Sequence, residues 1–251
     1  MKDVLVSVRN VSLNFTLAKL QSEVIDNVSF EIKKGEFTSI VGPSGCGKSS
    51  LIRIMTGLLE PTKGSVFYHG EQVSAPPKGM SLVFQNFALL PWRTALQNVK
   101  LALENTHLSD PEMYRRSADM LRKVDLEGFE AAYPSELSGG MKQRVGVARA
   151  LVSNPEIIFM DEPFSSLDDL TATQLRGEVY SILRDPATGV KAVVMVSHNV
   201  EEVVGLSDRV IVLSKPPSHI VDDVRIKLDY PRKKNSPRFT SVVNRIYKDL
   251  Y

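Results

Sequence analysis

The sequence predicts an α/β fold: a mixed sheet with helices, an antiparallel β region at its start and a helical insertion in its middle. Three observations predict it. Residues Gly42-Pro43-Ser44-Gly45-Cys46-Gly47-Lys48-Ser49 fit G-x-x-x-x-G-K-[ST] and stand between an apolar strand-like run, Phe37 to Val41, and an amphipathic stretch beginning at Ser50. Strand-like runs alternate with helical ones before and after the middle of the chain. From about Ala95 to Asn154 the apolar residues recur almost wholly at helical spacing.

In chain order, Val4 to Val8 and Val28 to Ile32 alternate apolar with polar, as half-buried strands do, and Lys33-Lys34-Gly35 turns the chain into the buried run Phe37 to Val41. Leu51, Ile52, Met55 and Leu58 then share one helix face, Gly57 weakens its end and Pro61 closes it. Gly64 to Tyr68 and Ser81 to Phe84 read as strands. The helical stretch follows, with Leu96, Val99 and Leu103, then Met113, Met120, Leu121 and Val124, then Met141, Val145, Ala148 and Val152. Strands return at Ile157 to Met160, Ala192 to Val196 and Arg209 to Leu213, with a helical segment around Thr171 to Leu183. Lys215-Pro216-Pro217-Ser218 marks a turn, and the Arg232-Lys233-Lys234 run of a polar tail reads as a solvated surface before one last short helix. The expected organisation is one domain over 1–251: a core of about 1–94 and 155–230, a helical subdomain of about 95–154 and a tail of 231–251.

With 251 residues, 43% hydrophobic and 24% charged, the chain can bury one large core or two modest ones. A formal charge of +2 gives no electrostatic case for nucleic acid, which a domain built on phosphate-backbone contacts meets with a concentrated basic excess. No apolar run approaches the roughly 20 residues needed to cross a bilayer, and Met1-Lys2-Asp3-Val4 lacks the layout of a secretory signal, so a cytosolic location is expected. Cys46 is the only cysteine, which excludes an intrachain disulfide and a thiolate metal cluster. Beside a helix N-terminus its thiol is either a reactive group of lowered pKa or a small residue that fits there.

The glycine-rich run has the chemistry of a phosphate cradle. Three glycines let the backbone curl so that successive N–H groups face one anion, and the following helix adds its positive end. Gly42, Pro43, Ser44, Gly45, Cys46, Gly47, Lys48, Ser49 and Ser50 are therefore the expected phosphate-binding residues. Lys48 reaches the β- and γ-phosphates, the Ser49 hydroxyl ligates Mg²⁺, and ATP or GTP is the expected ligand. Farther on, Ile157 to Met160 ends in Asp161-Glu162, two acids at the C-terminal edge of a buried strand. Asp161 suits the Mg²⁺ shell, and Glu162 can polarise a water attacking the γ-phosphate.

Leu137-Ser138-Gly139-Gly140-Met141-Lys142-Gln143-Arg144 lies between the loop and this acid pair. A Ser hydroxyl and two glycines opening an amphipathic helix make a second anion site. The run resembles the signature motif of ABC-transporter ATPases, whose core has the P-loop NTPase fold, and the resemblance spans almost the whole chain. It implies that Gln85 is the glutamine that touches Mg²⁺ and the attacking water. It further implies that Ser165-Ser166-Leu167-Asp168 is the D-loop, with Asp168 at the nucleotide, that His198 contacts the γ-phosphate, and that Phe15 stacks on adenine. Catalysis would fall to Glu162, His198, Gln85 and Lys48, Mg²⁺ to Ser49, Gln85 and Asp161, and the far side of ATP to Ser138, Gly139 and Gly140. Met141 departs from the pattern, which usually has Gln there.

The resemblance also implies a mechanism: two copies pair head to tail, with each ATP held between one copy's loop and the other's signature helix. Leu89-Leu90-Pro91-Trp92, His198-Asn199-Val200-Glu201-Glu202 and Ser207 to Ser214 are similar to the ATPase subunits of nitrate, sulfonate and taurine importers. Such a subunit is peripheral on the cytoplasmic face of the membrane and works with transmembrane permease subunits and a separate solute-binding protein. The apolar segment after Gln85 is the expected permease dock, through Phe87, Leu90 and Trp92, with ordinary core packing as the other reading. An exporter or a force-transmitting membrane complex is the alternative for the whole.

Overall fold

The computed structural model describes residues 3–17, 20–165, 176–177, 180–181 and 184–250. They cluster in two compact units, Met1–Pro77 with Lys191–Tyr251, and Lys78–Val190.

The first unit opens with two long strands, β1 (Val4–Leu17) and β2 (Leu20–Lys33), followed by β3 (Phe37–Val41), α1 (Lys48–Met55), β4 (Lys63–Tyr68) and a short β5 (Glu71–Gln72). β2, β1, β4 and β5 form an antiparallel sheet in that order. The alternation in the sequence predicts only the ends of β1 and β2, yet each runs for 14 residues. The cause is a break in register between Val8 and Val11. Asn10 and Asn27 take left-handed backbone there, φ 50° and 51°, and the Asn10 amide donates across to Asn27 Oδ1 at 2.9 Å. A bulge of this kind shifts the two-residue period, so Val8, Val11 and Leu13 are all buried although they do not alternate.

The same unit holds a mixed sheet. β8 (Ala192–Val196) and β9 (Arg209–Leu213) flank β3 in parallel, and β10 (Ile220–Arg225) closes the β9 side antiparallel. β3, β8 and β9 are buried along their whole length, which is why each reads as a continuous apolar run. β10 is exposed at alternate residues and carries Asp222-Asp223, so hydropathy conceals it. Between β8 and β9 lies α5 (Val200–Leu206), and α6 (Pro237–Leu250) buries Phe239, Val243 and Ile246 along one stripe. The basic tail run divides. Lys233 and Lys234 are exposed as expected, but the Arg232 guanidinium donates to the carbonyls of Val204 at 2.6 Å and Ser207 at 2.5 Å, capping the end of α5.

In the second unit β6 (Met80–Val83) pairs in parallel with β7 (Ile157–Asp161). The helical stretch resolves into α2 (Ala95–Lys100), α3 (Asp110–Lys123) and α4 (Gly139–Leu151) with turns between them. Leu96, Val99, Leu103, Leu121, Val145 and Ala148 pack into their common core. The helical segment expected at Thr171 to Leu183 lies mostly outside the described residues. Among the described residues no helix is long and apolar enough to cross a membrane.

Candidate nucleotide site

In the first unit β3 delivers the chain into the glycine-rich loop. Gly45 and Gly47 have φ of 77° and 91°, and a β-carbon at Gly47 would come within 2.9 Å of Val24 and Ile25 side chains. Only glycine fits this turn. α1 then starts with no side-chain cap on its first N–H groups, the arrangement that favours an anion. Lys48 is 6% exposed, and its ammonium donates to the carbonyls of Gly42 and Pro43 at 2.9 Å each, inside the loop. Ser49 and Ser50 are half-buried on the first turn, while Ser44 and Gly45 face solvent. Cys46 is fully buried, burial pushes its thiol up, and its carbonyl accepts from Ser218 at 2.7 Å. Of the two readings of Cys46, the structure supports the small fitting residue and not the reactive thiol.

Phe15, on β1 opposite Ser22 of β2, is 41% exposed. His198 is exposed between the end of β8 and the start of α5. The backbone on both sides of it is pinned: Ser197 donates its hydroxyl to the buried Glu202 carboxylate and accepts from the Asn199 N–H at 3.1 Å. Asn199 in turn caps α5, its Oδ1 accepting from Glu202 N–H at 3.0 Å.

In the second unit Asp161 is the last residue of β7 and is buried; Glu162 follows with left-handed backbone, φ 46°. The Gln85 amide, just past β6, stands 3.5 Å from both Glu162 Oε2 and Ser165 Oγ, at the long limit of a hydrogen bond. Ser165 Oγ donates to the Glu162 carbonyl at 3.0 Å. Gln85, Glu162 and Ser165 are thus brought together, with Asp161 adjoining. Ser166, Leu167 and Asp168 lie outside the described residues.

Ser138 is the N-cap of α4, its hydroxyl accepting from Met141 N–H at 3.3 Å. Ser138 and Gly139 are exposed and Gly140 is buried. Met141 packs against the helical core, so the departure from the signature pattern faces that core. Of the expected docking residues, Trp92 is 70% exposed and Leu90 half-buried, but Phe87 is 5% exposed. The Phe87 ring is core packing, and its role as an exposed docking residue is corrected. Ser81, Leu82, Phe84, Ala88, Leu101, Ala102, Arg149 and Ala150 line a groove of about 370 Å³ beside this segment.

A family model described as ABC transporter matches residues 25–165, from within β2 through the loop, the signature helix and the acid pair. The chain belongs to the ABC transporter family. As a member it is an ATPase, with the ABC ATPase fold of a β region, a mixed sheet and helices. The aliphatic sulfonates import ATP-binding protein SsuB of Bacillus cereus is 36% identical over 245 residues, covering 98% of this chain and 95% of that protein. The nitrate import ATP-binding protein NrtC of Synechococcus elongatus is 42% identical over 213 residues, 84% of this chain and 32% of that longer protein. A solved dimeric ATP-binding cassette in a post-hydrolysis state, bound to ADP and Pi, superposes with a TM-score of 0.77 at 33% identity, covering 88% of this chain and 99% of that one.

The oxygen donors on each unit are of the chemistry that Mg²⁺ takes. Ser49, Gln85 and Asp161 offer a hydroxyl, an amide oxygen and a carboxylate, and among the described residues no group of three His, Cys, Asp or Glu side chains would hold a metal by itself. Motif reading missed the residues that hold these groups in place. Glu202 was within reach of it, since Asn199-x-x-Glu202 has the spacing of a capping box. Arg149 carries no such local signal, because its partners are carbonyls some 60 residues away, and Asn98 carries none because its partners are backbone groups of the irregular turn before α2.

Proposed function

We propose that this chain is the ATP-binding and ATP-hydrolysing subunit of an importer for a small solute of the nitrate, sulfonate or taurine class, driven by ATP-dependent closure of a dimer. The observation that carries the reading is that one chain presents two separate helix N-termini of the kind that favours an anion, at α1 behind Gly47 and at α4 behind Ser138. A single nucleotide on a single copy has no use for both. A head-to-tail pair related by a two-fold uses each twice.

In such a pair Lys48 and the α1 amides hold the β- and γ-phosphates, Phe15 stacks on adenine, and Ser138, Gly139 and Gly140 of the second copy grip the γ-phosphate from the other side. Glu162 takes the proton of the attacking water, Gln85 orients that water and His198 contacts the γ-phosphate. Asp168 stands at the same nucleotide. Ser49, Gln85 and Asp161 would hold a Mg²⁺, which would neutralise charge on the phosphate oxygens. Moving an open pair from 1:99 to 99:1 closed takes about 5.5 kcal/mol of differential binding, within reach of two shared triphosphates. All 251 residues work as one ABC ATPase domain, with the core, helical subdomain and tail set out above.

The import direction is supported by the names of the two relatives, and the dimer by the solved cassette. In this reading the permease docks on the segment that carries Leu90 and Trp92, beside the groove lined by Ala88 and Arg149, and the chain is a peripheral subunit on the cytoplasmic face, served by a separate solute-binding protein. Glu162→Gln tests the core of this reading: ATP binding persists, turnover falls at least a hundredfold, and light scattering finds a closed dimer. Undiminished hydrolysis refutes Glu162 as the base. Reconstitution with the permease then tests direction, ATP-driven uptake supporting the importer, and efflux or ATP turnover without solute movement overturning it.

A further inference from the structure

Gln85 is followed by backbone that L residues rarely adopt. Phe87 and Ala88 are both left-handed, φ 57° and 44°, two in succession without a glycine. Such a pair persists only where the surroundings hold it. The holder is Arg149 in the last turn of α4, whose guanidinium donates to the Ala88 carbonyl at 2.8 Å and, through Nη2, to the Phe87 carbonyl. One turn earlier on the same helix, Gly146 makes room: a β-carbon there would meet Phe87 Cβ at 3.3 Å. The Phe87 N–H donates to the Phe84 carbonyl at 2.8 Å, closing a turn with Gln85 inside it. Whatever fixes Phe87 therefore fixes Gln85. The Gln85 amide is at the limit of contact with Glu162, so a shift of a few tenths of an ångström makes or breaks that contact.

α4 begins with Ser138, Gly139 and Gly140. Its 13 residues form a stiff rod, at about 1.5 Å per residue, between the second anion site and Arg149. We propose that Arg149 is a positioning residue for Gln85, and that through it α4 carries the state of the signature end to the hydrolytic carboxylate of its own chain, coupling the two nucleotide sites of a dimer. This inference rests on the ATPase reading given above. Arg149 lines the groove beside the proposed permease dock, so a docked segment reaches Gln85 through the same side chain.

Arg149→Lys tests it, because a lysine is a point charge that cannot fork across two successive carbonyls. The variant is expected to keep its KM for ATP within about twofold, lose about tenfold or more in kcat, and drop to a Hill coefficient of one where the wild type exceeds it. Trp92, the only tryptophan, lies seven residues beyond Gln85 and reports the segment, and its ATP-induced emission change is expected to vanish. A kcat that falls only with the folded fraction, or cooperativity equal to wild type, overturns the proposal. Should Arg149→Lys not fold, Gly146→Ala presses on Phe87 with Arg149 intact; the same kcat loss at unchanged KM supports the proposal, and a wild-type kcat overturns it. If the wild-type chain hydrolyses no ATP, it is the function reading that fails. The clamp is then judged by hydrogen exchange at residues 86–90, where protection undiminished by Arg149→Lys overturns it.

Discussion

Gln143, within the signature run, is fully buried on α4, and among the described residues neither its amide nitrogen nor its oxygen has a hydrogen-bond partner. A buried amide left so costs about 1–3 kcal/mol in lost hydration. Leucine fills a similar volume without that cost, so Gln143→Leu is expected to raise stability by about 1 kcal/mol. Urea denaturation measures it, and a comparable loss would mean that the amide is satisfied in solution. At this scale the sequence was most legible where one short motif contains all the chemistry. The phosphate loop needs only its own glycines, lysine and serine, and the structure finds its ammonium within the loop. Arg232 was misread for the opposite reason: its acceptors are carbonyls 25 and 28 residues away, so its charge looked like surface. Phe87 shows the same limit, since an aromatic beside a site reads alike whether it faces solvent or core.

Elements were legible where burial is uniform. β3, β8 and β9 stand where their apolar runs place them, whereas the bulge hid most of β1 and β2, and charged residues hid β10. The turn from the Gln85 segment into α2 depends on one side chain. Asn98 is fully buried, accepts from the Leu90 N–H at 2.8 Å, and donates to the carbonyls of Leu90, Arg93 and Thr94 at 3.2, 2.9 and 3.0 Å. Asn98→Leu leaves those backbone groups unmatched, at an expected cost of about 3 kcal/mol. Hydrogen exchange should show residues 88–94 opening before α2, and uniform loss of protection would contradict this.

Across the molecule, Arg209 joins distant parts of the first unit. Its guanidinium donates to Asp223 of β10 at 2.6 and 2.7 Å and to the Glu31 carbonyl of β2 at 2.6 Å, and it pairs with the buried Glu36. Hydrogen bonds from Arg209 hold the Asp223 carboxyl below its usual value. A depressed folded-state pKa contributes stability that is complete above the unfolded value, about 3.9, and is lost as pH falls through the folded one. Asp223→Asn should therefore melt below the wild type at pH 7, by a gap that narrows once the pH falls below about 3.9, as calorimetry at pH values on either side would register. An equal gap at both would exclude the ion pair as its source.

The place of β3 between β8 and β9 also bears on synthesis. The loop and its strand leave the ribosome early, but both flanking strands come from residues 192–196 and 209–213. At about 5–20 residues per second, the interval of roughly 150 residues lasts on the order of 10–30 s. Throughout it the apolar strand has neither of its sheet neighbours, an exposed surface of the kind that chaperones cover. The anion pocket is thus among the last parts to take shape, and a polypeptide released before β9 has the whole motif and no fold to present it.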